Sequence, residues 1–170
     1  VSERAMEIDV DSSVCGLEAG DQIDLMQLLY GLMMCSGNDA ANAIAEQVSG
    51  SIEAFVALMN QEALALGATN SHFMNPHGLP DEQHYTTVYD LYLIFQAAME
   101  SGTFRQLIST VDYTAQYTNG QGEPVTKEWK NSNRYLQGEE EVPEGITIVG
   151  GKTGTTNAAG HCLVLSSETG

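Results

Sequence analysis

The chain has 170 residues, 42% of them hydrophobic, which suits one globular domain, or most of one, with a real core. Six Lys and Arg stand against 23 Asp and Glu, a net charge of −17 that argues against nucleic acid and against unaided binding to anionic membranes. No apolar run approaches membrane-spanning length. Cys15, Cys35 and Cys162 lack metal-like spacing, so a single disulfide and three thiols are both open. The chain opens at Val1 without an initiator Met and closes at Gly170 just after an apolar run, so both ends read as cut points.

In chain order, the first ~20 residues form an extended lead-in with turn formers. Leu25, Leu28, Leu29, Leu32 and Met33 recur at helical spacing and predict a helix over 24–34. A break at Ser36-Gly37-Asn38 follows, then a second helix over 39–48 stopped by Gly50. Ser51 caps a third, running to about Leu66 with Gly67 as terminator. Residues 70–84, with Asn75-Pro76-His77-Gly78 and Pro80-Asp81, read as a loop. Thr86 or Thr87 caps a helix through Glu100, and a short helical piece spans 104–108. Strand formers then dominate, over 111–118, 129–136, 146–149 and 162–165, with an acidic loop at Glu139-Glu140-Glu141. The expected organisation is one partial domain over 1–170, mainly helical from about 20 to 110 and strand-bearing from about 111 to 170.

Two short motifs carry chemistry. Lys152-Thr153-Gly154-Thr155 places one of only three lysines in a glycine-flanked segment read as a turn between short strands. An ammonium beside a hydroxyl and an open backbone suits a carboxylate or a developing oxyanion. Chance delivers Lys-Thr-Gly in roughly one such chain in forty or fifty, the ordinary false-positive risk of a triplet. Ser36-Gly37-Asn38 is commoner by chance, and alone it reads first as helix-capping chemistry by Ser36 and Asp39. It falls on a short connection between two helices, an exposed and positionable place. The acidity of the chain requires the surroundings of Lys152 to be locally positive, or cationic segments to lie outside it. His72, His77 and His84 complete no tetrahedral set, so no metal site is expected, and His77 reads as a loop-ordering residue bonded to backbone. There is no Gly-x-Ser-x-Gly elbow.

Longer strings resemble one family in order along nearly the whole chain. Leu28-Leu29-Tyr30-Gly31-Leu32 with Ser36-Gly37-Asn38-Asp39-Ala40-Ala41 resembles the second-motif region of serine-type D-alanyl-D-alanine carboxypeptidases, the low-molecular-mass penicillin-binding proteins. Phe73 to Leu79, His84 to Leu91, Asn131-Ser132-Asn133-Arg134-Tyr135-Leu136 and Gly151 to Thr156, continuing through Ala159 to Val164, resemble its later segments. The resemblance implies an α+β fold of the penicillin-binding protein and β-lactamase type, here a helical subdomain plus part of an antiparallel sheet. It implies that Ser36 belongs to a proton relay serving the leaving amine, and that Asn38 holds the substrate amide and orients a catalytic lysine. Lys152 and Thr153 would bind the terminal carboxylate, Gly154 would let substrate backbone approach, and the Thr155 N–H would donate to the oxyanion.

The same family acylates a serine in a Ser-x-x-Lys motif, and no such motif occurs here. The chain alone is therefore expected to be inactive, since the nucleophile is the centre of this chemistry. Cys35 is a poor substitute. The intact enzyme would remove terminal D-alanine from peptidoglycan stem peptides through an acyl-serine intermediate. It would be acylated by penicillins and other β-lactams, act outside the cytoplasm, and use no metal or organic cofactor. Self-association through an apolar face or sheet edge left uncovered is a further expectation. The rival reading is a nucleophile-free module that binds stem peptides or a partner. A β-lactamase fits less well, because no separate deacylating glutamate can be placed.

Overall fold

The structure, a computed structural model, describes residues 1–170. A 3₁₀ turn at Arg4–Met6 precedes five helices: α1 (Leu25–Cys35), α2 (Asn38–Ser49), α3 (Ile52–Ala65), α4 (Val88–Met99) and α5 (Gly102–Ser109). Each of four helix starts is fixed by a side chain accepting an otherwise unpaired backbone N–H. Asp24 accepts from Gln27, Ser51 from Ala54, Thr87 from Asp90 and Ser101 from Phe104. Thr87, not Thr86, is thus the cap of α4. Gly50, at φ 78°, ends α2 in the left-handed conformation.

Two antiparallel ribbons follow. β1 (Asp112–Thr118) pairs with β2 (Pro124–Lys130), and β3 (Ile146–Thr156) pairs with β4 (Gly160–Thr169). The core lies between α1, α2, the end of α5 and the inner face of the β1–β2 ribbon, where Leu28, Met34, Ile44, Leu107, Ala115 and Trp129 meet. Fully burying a side chain the size of Met34 contributes roughly 1.5–3 kcal/mol. Tyr30 stacks on Tyr113 with ring centroids 3.8 Å apart, and the Trp129 indole donates to the Cys15 carbonyl at 3.1 Å. Gly31, a weak point for helix propensity, is required by this packing. A Cβ there would come within 2.9 Å of Cys15 Sγ and 3.2 Å of the Trp129 ring.

Three sequence expectations are corrected. The second strand spans Pro124–Lys130 rather than 129–136, because residues beyond Lys130 fold into turns held by asparagine side chains. The third and fourth strands are longer than 146–149 and 162–165, and they join into one hairpin. Lys-Thr-Gly therefore lies within β3 and not in a turn: Lys152 faces Val164 and Gly154 faces Cys162 in the register, after a bulge between Ile148 and Gly150. Asn38 is the first residue of α2, so the connection between α1 and α2 consists of Ser36 and Gly37 alone.

Candidate active site

Ser36 sits at the C-terminal end of α1 at φ 54°, the one non-glycine residue in the left-handed region. Such a conformation costs free energy and must be held by its surroundings. The hold comes from below. Asp39, 1% exposed, accepts backbone N–H bonds from Cys15 (2.9 Å), Gly16 (2.9 Å), Leu17 (3.0 Å) and Ala40 (2.9 Å). The Asn38 N–H donates to Ser13 O at 2.9 Å. The Ser36-Gly37-Asn38 turn is therefore stitched to the segment 13–17, with Asp39 satisfying four donors that would otherwise be buried unpaired.

Across the turn stands β3. Lys152 Nζ donates to Ser36 Oγ and, at 2.7 Å, to the carbonyl of Thr153. The two motifs, 116 residues apart in sequence, thus meet in one place. They line a cleft of about 770 Å³ together with Asn38, Thr153, Gly154 and Thr155. Every site residue expected from the sequence is brought to it. Asp9 to Ser13 form one rim and His77 to Pro80 another. His77 Nδ1 accepts from Leu79 N at 3.3 Å, which orders its loop. Among His, Cys, Asp and Glu there is no group of three or more placed to hold a metal ion.

Electrostatics sharpen the picture. Lys152 is partly buried, and burial brings its pKa down to about 8. The chain's ion pairs join Arg4 to Glu53 and Arg134 to Glu139 and Glu140, so Lys152 has no carboxylate partner despite 23 acidic residues. Cys35 is beside it, but burial, aided by the Asp39 carboxylate, pushes that thiol up to about 11. Cys35 is thus a neutral thiol near neutral pH, neither a counter-ion nor an activated nucleophile. All three cysteines are free. Asn38 is 6% exposed, and its side chain lines the cleft without a hydrogen bond to the rest of the chain. β3 is bonded to β4 on one side, and no strand of this chain pairs with its other edge. The cleft accordingly offers an unpaired ammonium, a hydroxyl, a free amide and a strand edge. These are the groups that a peptide ending in a carboxylate would use.

The cleft also holds residues to which the sequence assigned no site role, Ser132 among them. Ser132, on the loop after β2, lines the cleft and shares a 2.5 Å hydrogen bond with the Thr153 hydroxyl. In the sequence it appears only inside the family-like string Asn131 to Leu136, which assigns it no role.

All of residues 1–170 match the family described as peptidase S11, D-alanyl-D-alanine carboxypeptidase. A D-alanyl-D-alanine carboxypeptidase of Streptomyces sp. strain K15 is 35% identical over 161 residues, covering 91% of this chain and 53% of that protein. DacB2 of Mycobacterium tuberculosis, with the same description, is 36% identical over 166 residues, 96% of this chain and 53% of its own. The crystal structure of the Streptomyces K15 DD-transpeptidase superposes with a TM-score of 0.89 at 34% identity, covering 99% of this chain and 66% of that one. The D-alanyl-D-alanine carboxypeptidase structure from M. tuberculosis gives 0.82 at 32%, covering 100% and 60%. The chain thus spans about half the length of these two curated relatives.

Proposed function

Because the chain belongs to the D-alanyl-D-alanine carboxypeptidase family, we propose that it is the part of a serine-type DD-carboxypeptidase that grips the substrate's carboxyl end and relays its protons. The observation that carries this reading is Lys152, an ammonium bonded to Ser36 across the cleft and left without an anion. The terminal carboxylate of a stem peptide ending in D-Ala-D-Ala supplies that anion, with Thr153 Oγ1 as second donor. Asn38 takes the peptide amide, Gly154 admits the backbone, and the Thr155 N–H donates to the oxyanion. β-Lactams, which also carry a carboxylate, compete for the same place.

The chain contains no Ser-x-x-Lys, so the serine that forms the acyl intermediate belongs to the longer protein. Its oxygen bonds to the penultimate D-alanyl carbonyl as the peptide bond breaks. The departing D-alanine amine takes its proton through Ser36 and Lys152, and water then releases the acyl group. The 170-residue chain alone is inactive on this reading. The enzyme works outside the cytoplasm, where peptidoglycan lies. No helix here is long and apolar enough to cross a membrane. Self-association through uncovered apolar surface belongs to the same reading.

Intact mass after benzylpenicillin treatment tests it, on the full-length protein beside the 170-residue chain. A penicilloyl adduct on the longer protein alone is the expected result. No adduct on either would favour a nucleophile-free module that binds without turnover.

A further inference from the structure

Ser132 is placed with unusual care for an exposed serine. It lies on the loop between β2 and β3, and its neighbours Asn131 and Asn133 are 4% and 1% exposed. The Asn131 side chain donates to Thr110 O at 2.9 Å and accepts from Asn133 N at 2.9 Å, while its own N–H donates to Val111 O at 2.9 Å. Asn133 accepts in turn from Tyr135 N at 3.1 Å. The Ser132 N–H donates to Met34 O at 3.2 Å, in the last turn of α1 and two residues before Ser36. This bracket fixes Ser132 to the ends of α1 and α5 and turns its hydroxyl to Thr153 on β3, at 2.5 Å.

We propose that Ser132 is a positioning residue for carboxylate recognition, orienting the hydroxyl of Thr153 toward the substrate's terminal carboxylate. The inference rests on the reading of Lys152 and Thr153 given above. Each hydroxyl has one proton, and a carboxylate only accepts. When the Thr153 hydroxyl donates its one hydrogen bond to the carboxylate, its bond with Ser132 survives only if Ser132 Oγ donates and Thr153 Oγ1 accepts. Ser132 then polarises the Thr153 hydroxyl and holds its rotamer, and the chain Ser132 to Thr153 to carboxylate runs in one direction. The asparagine bracket removes the entropy cost of ordering the loop when substrate arrives. A serine that merely filled a surface position would affect stability, or binding and turnover together.

The test is steady-state hydrolysis of an acyl peptide ending in D-Ala-D-Ala by the full-length protein, unsubstituted and as Ser132→Ala and Ser132→Thr. Thermal midpoints serve as the folding control. Loss of one hydrogen bond in a chain ending on a charged group predicts a KM about 10-fold higher for Ser132→Ala, with kcat within about 2-fold. Ser132→Thr keeps the donor and stays within about 3-fold of the unsubstituted KM. An unchanged KM in Ser132→Ala overturns the proposal. So does a loss confined to kcat, or a Ser132→Thr variant that folds and is as impaired as Ser132→Ala. If the unsubstituted protein neither cleaves the peptide nor takes a penicilloyl group, the underlying reading falls and the proposal with it. Activity with an unaffected Ser132→Ala strikes the proposal alone.

Discussion

The side chain of Lys152 is half withdrawn from water with no anion beside it, and this fixes how it must respond to pH. Its folded-state pKa of about 8 lies below its ordinary 10.5, with burial as the leading cause. Below about pH 8 the group is charged folded or unfolded, and the fold carries the full cost of burying it. Between about 8 and 10.5 the unfolded chain binds the extra proton, so this residue's contribution to stability rises with pH across that window. Binding of a carboxylate has the opposite sign, because it needs the charge that the fold is losing. A bound carboxylate also raises the pKa again, and so draws a proton from solution. We predict uptake of about half a proton when a D-alanyl-D-alanine ligand binds at pH 8, falling toward zero at pH 6. Calorimetry in buffers of different ionisation heat reads this directly. Proton release, or no exchange at pH 8, would show that Lys152 does not face the carboxylate.

At the scale of the element, β3 reaches its place because two glycines let it. Gly150 has φ 155°, just after the bulge, and a Cβ on it would overlap the Ile108 carbonyl at the end of α5. Gly150→Ala is therefore expected to cost more than about 2 kcal/mol, because backbone and not a flexible side chain must give way. Urea denaturation measures it, and a loss below about 0.5 kcal/mol would mean that β3 does not dock as described. The same glycines explain why the sequence misled. Read locally, Gly150-Gly151 signals a turn, whereas their need is tertiary, against α5 and β4. Residues 131–136 misled for the converse reason. Tyr135 and Leu136 suit a strand, but Asn131 and Asn133 capture the backbone donors that a ladder would use. The helices were legible because their signals are local: Asp24, Ser51 and an apolar period. Ser36, Asn38 and Lys152 were legible as motif residues. Ser132 was not, because nothing in its spacing announces a bond to a residue 21 positions away.

The whole molecule shows an imbalance that no single element explains. α4, Val88–Met99, is apolar at ten of its twelve positions, yet its one buried residue is Asp90. Val88 is 88% exposed, Tyr89 66% and Tyr92 54%. Between α3 and α4 runs a groove of about 330 Å³ lined by Phe55, Leu58, Met59, Leu66, Phe73 and Ile94. An apolar surface of this kind, on a chain spanning 66% of a solved relative's length, is expected to seek cover. In isolation the available cover is a second copy, opposed by mutual repulsion at a net charge of −17. The two effects respond differently to salt. Screening weakens the repulsion within a Debye length of about 10 Å at 0.1 M, while apolar burial is untouched or strengthened. The 170-residue chain should therefore associate more as salt rises, with a mean mass above 18.3 kDa by sedimentation equilibrium. Leu58→Glu, which puts a like charge in the groove, should return it to monomer under the same conditions. A monomer at high concentration and high salt would sink the argument. Association that weakens with salt would assign it to ion pairs instead of this face.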